Sequence, residues 1–145
     1  MPVIYALDPK QKLIRTRCVG NVTLPEVLAH FHELAEDPNA PGLFDVFLDL
    51  SETTSLPAGF QIAAVADQIK KTSQIVRFNA CAIVAQQDAL FGMLRMLEVL
   101  AEPYFGVTRV FRISAEAEAW LESVRLVKIP SEFASAKEPG QQSGY

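Results

Sequence analysis

Polar positions recur along this chain with two different periods, and in two places they vanish. Val46, Phe47, Leu48 and Leu50 leave no polar alternation, which predicts a strand from Val46 to Leu50 covered on both faces. Phe78 to Ala85 is nearly all apolar and predicts a second central strand. Val3 to Leu7 and Leu13 to Val19 alternate, and Asp8-Pro9-Lys10-Gln11 between them is a turn, so they predict an antiparallel hairpin. Within its second strand Leu13, Arg15 and Arg17 share one face, and Ile14, Thr16 and Cys18 the other. Two arginines on one face suggest a solvated strand near an edge; an anion-binding pair is the functional alternative. Val107 to Ile113 reads as the last strand.

The helical period appears four times. Thr23-Leu24-Pro25-Glu26 matches a capping box, and the helix it opens runs to about Glu36 with Val27, Leu28, Phe31, Leu34 and Ala35 as its apolar stripe. A second helix runs from about Leu56 to Lys71, with Ser55 as N-cap and Ile62, Val65, Ala66 and Ile69 facing inward. Lys70 and Lys71 close it where the helix dipole favours cations. A third covers Gln87 to about Glu102. Ser114 caps a short fourth, lined by Ala117, Trp120, Leu121 and Val124. The resulting order predicts an α/β fold: a mixed sheet of about five strands with an N-terminal antiparallel hairpin, about four helices, and right-handed βαβ crossovers. Residues 1–128 form the domain, and from 129, just before Pro130, the polar composition predicts a flexible tail.

Composition narrows the classes. The net charge is −4, and half of the 145 residues are apolar. Such a chain has ample core but no positive footprint for nucleic acid. Cys18 and Cys81 lie in separate predicted strands, which reads as reduced, packed thiols in the cytoplasm. Met1 to Lys10 lacks the basic start and apolar run of a signal peptide, and the longest apolar run, Ala80 to Ala85, is far short of the roughly twenty residues that span a bilayer.

The strand ending Asp49-Leu50-Ser51, followed by a short loop and Ala58-Gly59 at a helix start, resembles the STAS domain of anti-sigma-factor antagonists. More closely, the stretch from Met1 to about Ser123 resembles the SpoIIAA-like proteins, a STAS group whose fold is akin to the CRAL-TRIO lipid carriers. The marks are Asp37-Pro38, the run Phe91-Gly92-Met93-Leu94-Arg95-Met96, and Ala119-Trp120-Leu121. The resemblance implies a STAS-type sheet and a non-catalytic role in binding or regulation. One departure is that the antagonists carry a phosphorylatable serine where this chain reads Leu56-Pro57-Ala58-Gly59; neither Pro57 nor Ala58 has a hydroxyl.

Candidate chemistry is sparse. His30 and His32, two apart on a helix, point to roughly opposite sides, so no metal pair is expected. His30 is expected to pair with Glu26 one turn earlier, and Asp49 to hold its loop, with Arg95 as partner. No nucleophile–base set is visible, so no enzyme and no cofactor are expected. Ser51, Thr53, Thr54 and Ser55 precede a helix start and form a candidate anion loop, without the glycines and lysine of a phosphate loop.

The third helix is the most informative segment. Leu90, Met93, Leu94, Leu97, Leu100 and Ala101 make its inward stripe, and Gly92, Met96 and Val99 widen the apolar arc to roughly 220°. A covering segment explains that width; so does a subunit interface, an apolar pocket or a lipid-facing surface. Gly92 suggests that something approaches closely. The sequence therefore supports a non-catalytic STAS-like module that carries or senses a small apolar or lipid-like ligand. Its candidate binding residues are Leu56, Phe60, Gly92, Met93, Met96 and Val99, and peripheral membrane contact and a homodimer are compatible with it. The alternative is a regulatory protein–protein module that lacks the usual phosphoserine.

Overall fold

A computed structural model describes residues 2–125, and the tail expected from 129 lies outside the described residues. The chain forms β1 (Val3–Asp8), β2 (Leu13–Gly20), α1 (Leu24–Glu36), β3 (Gly42–Thr53), α2 (Gly59–Thr72), β4 (Val76–Val84), α3 (Asp88–Leu100), a single 3-10 turn (Glu102–Tyr104), β5 (Phe105–Phe111) and α4 (Ser114–Val124). The strands lie in the order β1-β2-β3-β4-β5. β1 is antiparallel to β2, and every other pairing is parallel. This is the mixed α/β sheet expected, with the hairpin at one side, β1 at the edge and β2 next to it.

Strand order fixes the layers. The crossovers through α1, α2 and α3 all step in the same direction across the sheet, so right-handed connections place these helices on one face. On it Ile14, Leu34, Phe44, Val46, Ile62, Ile69, Cys81, Ile83, Leu94 and Leu97 form the larger core. α4 covers the opposite face, where Leu13, Phe47, Ala80, Ala82, Val84, Ala117 and Leu121 form a smaller one. Arg15 also emerges on the α4 face and makes a two-pronged ion pair with Glu118, at 2.9 and 3.0 Å.

β4 does not alternate cleanly. Phe78 and Cys81 both join the larger core, while Ala80 joins the smaller. The pairing explains it: Phe44 lies opposite Phe78 and Val46 opposite Cys81, so two steps of β3 span three of β4. Asp45 sits at this bulge, 1% exposed. Its Oδ1 accepts from Asn79 Nδ2 at 2.9 Å and from the Ala80 amide at 3.2 Å. Its Oδ2 faces Arg125 Nε at 3.6 Å, and Arg125 in turn donates to the Gln11 carbonyl. Gly106 on β5 completes the arrangement, because a Cβ there would lie 2.7 Å from Asn79 Oδ1 and 2.9 Å from its carbonyl oxygen.

Several boundaries differ from expectation for identifiable reasons. α2 starts at Gly59, with Ala58 as N-cap and the Gln61 side chain accepting from the Ala58 amide at 2.8 Å. Pro57 disfavours helical geometry at Leu56, so Ser55 cannot cap. Ser114 is the first helical residue and Ile113 the cap. β5 begins at Phe105, which pairs with Phe78 and stacks on its ring at 5.0 Å. The capping box at Thr23 and Glu26 is present as expected. Cys18 and Cys81 are free and buried. Among the described residues no helix is long and apolar enough to cross a membrane.

Candidate functional site

α1 and α2 pack on each other and, with α3 and the sheet, enclose a cavity of about 630 Å³. That is within the roughly 300–1,000 Å³ of small-molecule sites. Its wall draws on all five strands, from Val3 to Phe105 and Thr108. Four strand spacings make this a width of roughly 19 Å. The floor is Ile14, Val46, Leu48, Ile83 and their neighbours; the roof is Val27, Phe31, Leu34, Ile62, Val65 and Ile69. Thr16, Cys18, Cys81 and Thr108 are the short floor side chains that leave room beneath the helices.

The cavity opens where its wall reaches solvent. Its solvent-exposed wall residues are Asn21, Thr23, Pro25, Thr54 and Leu56, which belong to two adjoining segments. These segments follow β2 and β3, so the mouth lies at the carboxyl ends of parallel strands, where α/β sheets receive ligands. Hydrogen bonds fasten the two segments together. The Thr53 hydroxyl and the Thr54 amide both donate to the Gly20 carbonyl, at 2.9 and 2.8 Å, and Ser55 Oγ accepts from the Val22 amide at 3.1 Å. Ser55 Oγ also lies 3.1 Å from Thr53 Oγ1.

Among the described residues the wall carries no Asp, Glu, Lys or Arg. Burial pushes the Cys18 thiol up to about 11, with Asp49 adding to the shift, and pushes Cys81 up as well. Both thiols are therefore neutral at pH 7. His30, 9% exposed, is the one basic side chain on the wall among the described residues. Desolvation pushes its pKa down to about 4, so it too is neutral. Its ring meets Tyr5 edge-on at 5.2 Å and Phe31 at 5.3 Å, and its Nδ1 is buried with no hydrogen-bond partner among the described residues. Glu26, its expected partner, instead accepts from the Thr23 amide at 2.8 Å to close the capping box. The Thr108 hydroxyl is likewise buried and without a partner.

The other sequence candidates divide between the mouth and the outer surface. Leu56 lines the mouth and is half exposed. Phe60 and Val99 are each 73% exposed, and Met96 is partly exposed. Gly59 lies beside the Met96 methyl, so the start of α2 adjoins α3 and brings these apolar side chains onto neighbouring elements. Met93 is half buried against the larger core. A Cβ on Gly92 would meet nothing within 4 Å, so no close approach requires that glycine. Leu100 is exposed, not part of the buried stripe. Of the loop candidates, Thr54 lines the mouth, Thr53 and Ser55 fasten it, and the Ser51 amide donates to Asp49 Oδ1 at 2.9 Å. Arg95 pairs with Glu98 at 3.2 Å rather than with Asp49. Among the described residues no group of three or more His, Cys, Asp or Glu is placed to hold a metal.

Sequence reasoning missed His30 as a wall residue and Asp45 as the buried acid. The signal for His30 was present, because His30 lies three residues after Val27 and four before Leu34, on the same helical face.

No family model and no curated protein matches the sequence. Among solved structures the fold is similar to that of an uncharacterised DUF3478-family protein with a SpoIIAA-like fold from Shewanella loihica PV-4. The TM-score is 0.52 and the identity 17%, over 82% of this chain and 93% of that one. The fold is thus SpoIIAA-like, the fold that the sequence marks implied.

Proposed function

We propose that this SpoIIAA-like chain is a non-catalytic binding module that carries or senses a small apolar or lipid-like ligand. The observation that supports it most is the cavity of about 630 Å³, apolar and uncharged, with its mouth at the carboxyl ends of β2 and β3. A ligand of matching shape would make packing contacts over an apolar space of that size. The exposed side chains Leu56, Phe60, Met96 and Val99 extend the apolar character outward from the mouth. They suit a membrane surface or a second copy of the chain during loading.

Native mass spectrometry of the chain purified from its own host without detergent tests this reading. Extra mass on the folded chain that disappears on denaturation supports a carried ligand. A dimer without extra mass moves the apolar side chains to a subunit interface. A bare monomer that also fails to take up any apolar compound sinks the carrier reading.

The second reading is a regulatory protein–protein module using the mouth loop and α2. The exposed Phe60 and Val99 favour it, since large apolar side chains of that exposure suit a partner surface. It requires a protein partner that is lost when the loop from Ser51 to Gly59 is altered, whether or not the cavity is filled.

A further inference from the structure

We infer that the cavity selects an elongated, uncharged amphiphile and seats its neutral hydrogen-bonding group on His30 Nδ1. The inference rests on the carrier reading and names the chemistry of the ligand. Its basis is the combination of an uncharged wall and one wall residue, His30, whose Nδ1 is buried with no hydrogen-bond partner among the described residues. A carboxylate, phosphate or ammonium drawn into this cavity would lose its water and find no countercharge, because none of the described residues that line the wall is ionic. A pure hydrocarbon would fill the space but leave His30 Nδ1 without a partner. A hydroxyl or carbonyl group meets both conditions. A hydroxyl can donate to or accept from the imidazole, whichever nitrogen carries the proton.

Geometry adds length. His30 rests on Tyr5 of β1 at one edge of the sheet, while Thr108, the second unpartnered group, is on β5 at the other. The ligand therefore lies across the strands, with its apolar body over Val46, Leu48 and Ile83. Burial supports the assignment, since it keeps His30 neutral and able to accept a hydrogen bond at physiological pH. Any group that stays charged must remain at the mouth, where Asn21, Thr23, Thr54 and Gln61 are polar but uncharged.

The test uses the full chain at pH 8 and an uncharged dye, N-phenyl-1-naphthylamine, whose fluorescence rises in apolar surroundings. Three competitors share one chain length and differ in headgroup charge: tetradecan-1-ol, tetradecanoate and tetradecyltrimethylammonium, each below its micelle concentration. The alcohol is expected to displace the dye at a concentration lower than either ion by about tenfold or more. With the dye's own affinity measured in each protein, His30→Leu is expected to weaken the alcohol relative to both ions by about tenfold. An ion that competes as well as the alcohol, or an alcohol indifferent to His30→Leu, overturns the inference and leaves the carrier reading standing. If neither dye nor alcohol binds, both fall. Should His30→Leu fail to fold, nitrogen-15 NMR of the wild-type imidazole decides: bound alcohol must shift Nδ1, and an unmoved resonance overturns the seat.

Discussion

The two faces of the sheet are built on opposite principles. Beneath α4, Ala80, Ala82 and Ala117 are all fully buried, so the helix can approach the strands closely. The charged groups there are paired off by Asp45, Asn79 and Arg125. Beneath α1, α2 and α3 the side chains are larger and form one packed cluster, yet a cavity of about 630 Å³ remains, and the polar atoms of His30 and Thr108 have no partner among the described residues. A close-packed core leaves no large void. The cavity lies on the three-helix face, so under the function proposed above the α4 side holds the fold and the three-helix side takes the ligand.

The largest effect expected is on the closed face. Asp45→Ala strips the β4 bulge of its acceptor and takes the buried carboxylate from Arg125, leaving it only Glu122 at 3.6 Å. Breaking such a pair costs about 3–5 kcal/mol, readable as a fall in the urea midpoint at unchanged slope. A loss below about 1 kcal/mol would mean that this face is not the fold's anchor. Next comes His30. Its pKa falls from 6.5 unfolded to about 4 folded, with Tyr5 the nearest titratable ring and that ring's hydroxyl held by Asp37 at 2.8 Å. Between those values the unfolded chain binds the extra proton, so stability is full above pH 6.5 and drains as pH falls toward 4. The shift corresponds to about 3 kcal/mol. The difference between wild type and His30→Leu isolates it from the carboxylates. Parallel stability–pH curves for the two proteins would show that His30 is not buried as described.

Much of the closed face and of the sheet was legible in the sequence. Strands lacking polar alternation at Val46 to Leu50 and Phe78 to Ala85 had to be central, and they are β3 and β4. Asp45 was not legible, because an acid at a strand's edge looks the same whether it faces water or fills a bulge. The bulge itself depends on how two strands align, which neither strand encodes alone. The cavity was hidden for a related reason. Periodicity tells which side chains of α1 and α2 point inward, but not how far the helices stand from the sheet. The wide apolar arc of α3 drew attention to Met96 and Val99, which are exposed, whereas α3 meets the interior space through Leu90, Leu94 and Leu97. Leu56 alone among those candidates lines the cavity.

Smaller effects sharpen the contrast between the faces. Cys81→Leu adds side chain to the cavity floor, where space is available, so stability should move by less than about 1.5 kcal/mol while uptake of the uncharged dye drops sharply. In a close-packed core the same enlargement would cost more and would have no ligand to displace. Finally, Phe60→Ser and Val99→Ser remove apolar side chains that are each 73% exposed, so the urea midpoint should shift by no more than about 0.5 kcal/mol in stability. The informative readout is therefore not stability but vesicle flotation and sedimentation. If either variant alters assembly or association with vesicles while the cavity still takes up the dye, then the surface around the mouth and the space behind it have separable duties, one of contact and one of capacity. If dye uptake falls along with contact, the outer side chains belong to the ligand's path, and the mouth extends beyond Thr54 and Leu56 onto the outer surface of α2 and α3.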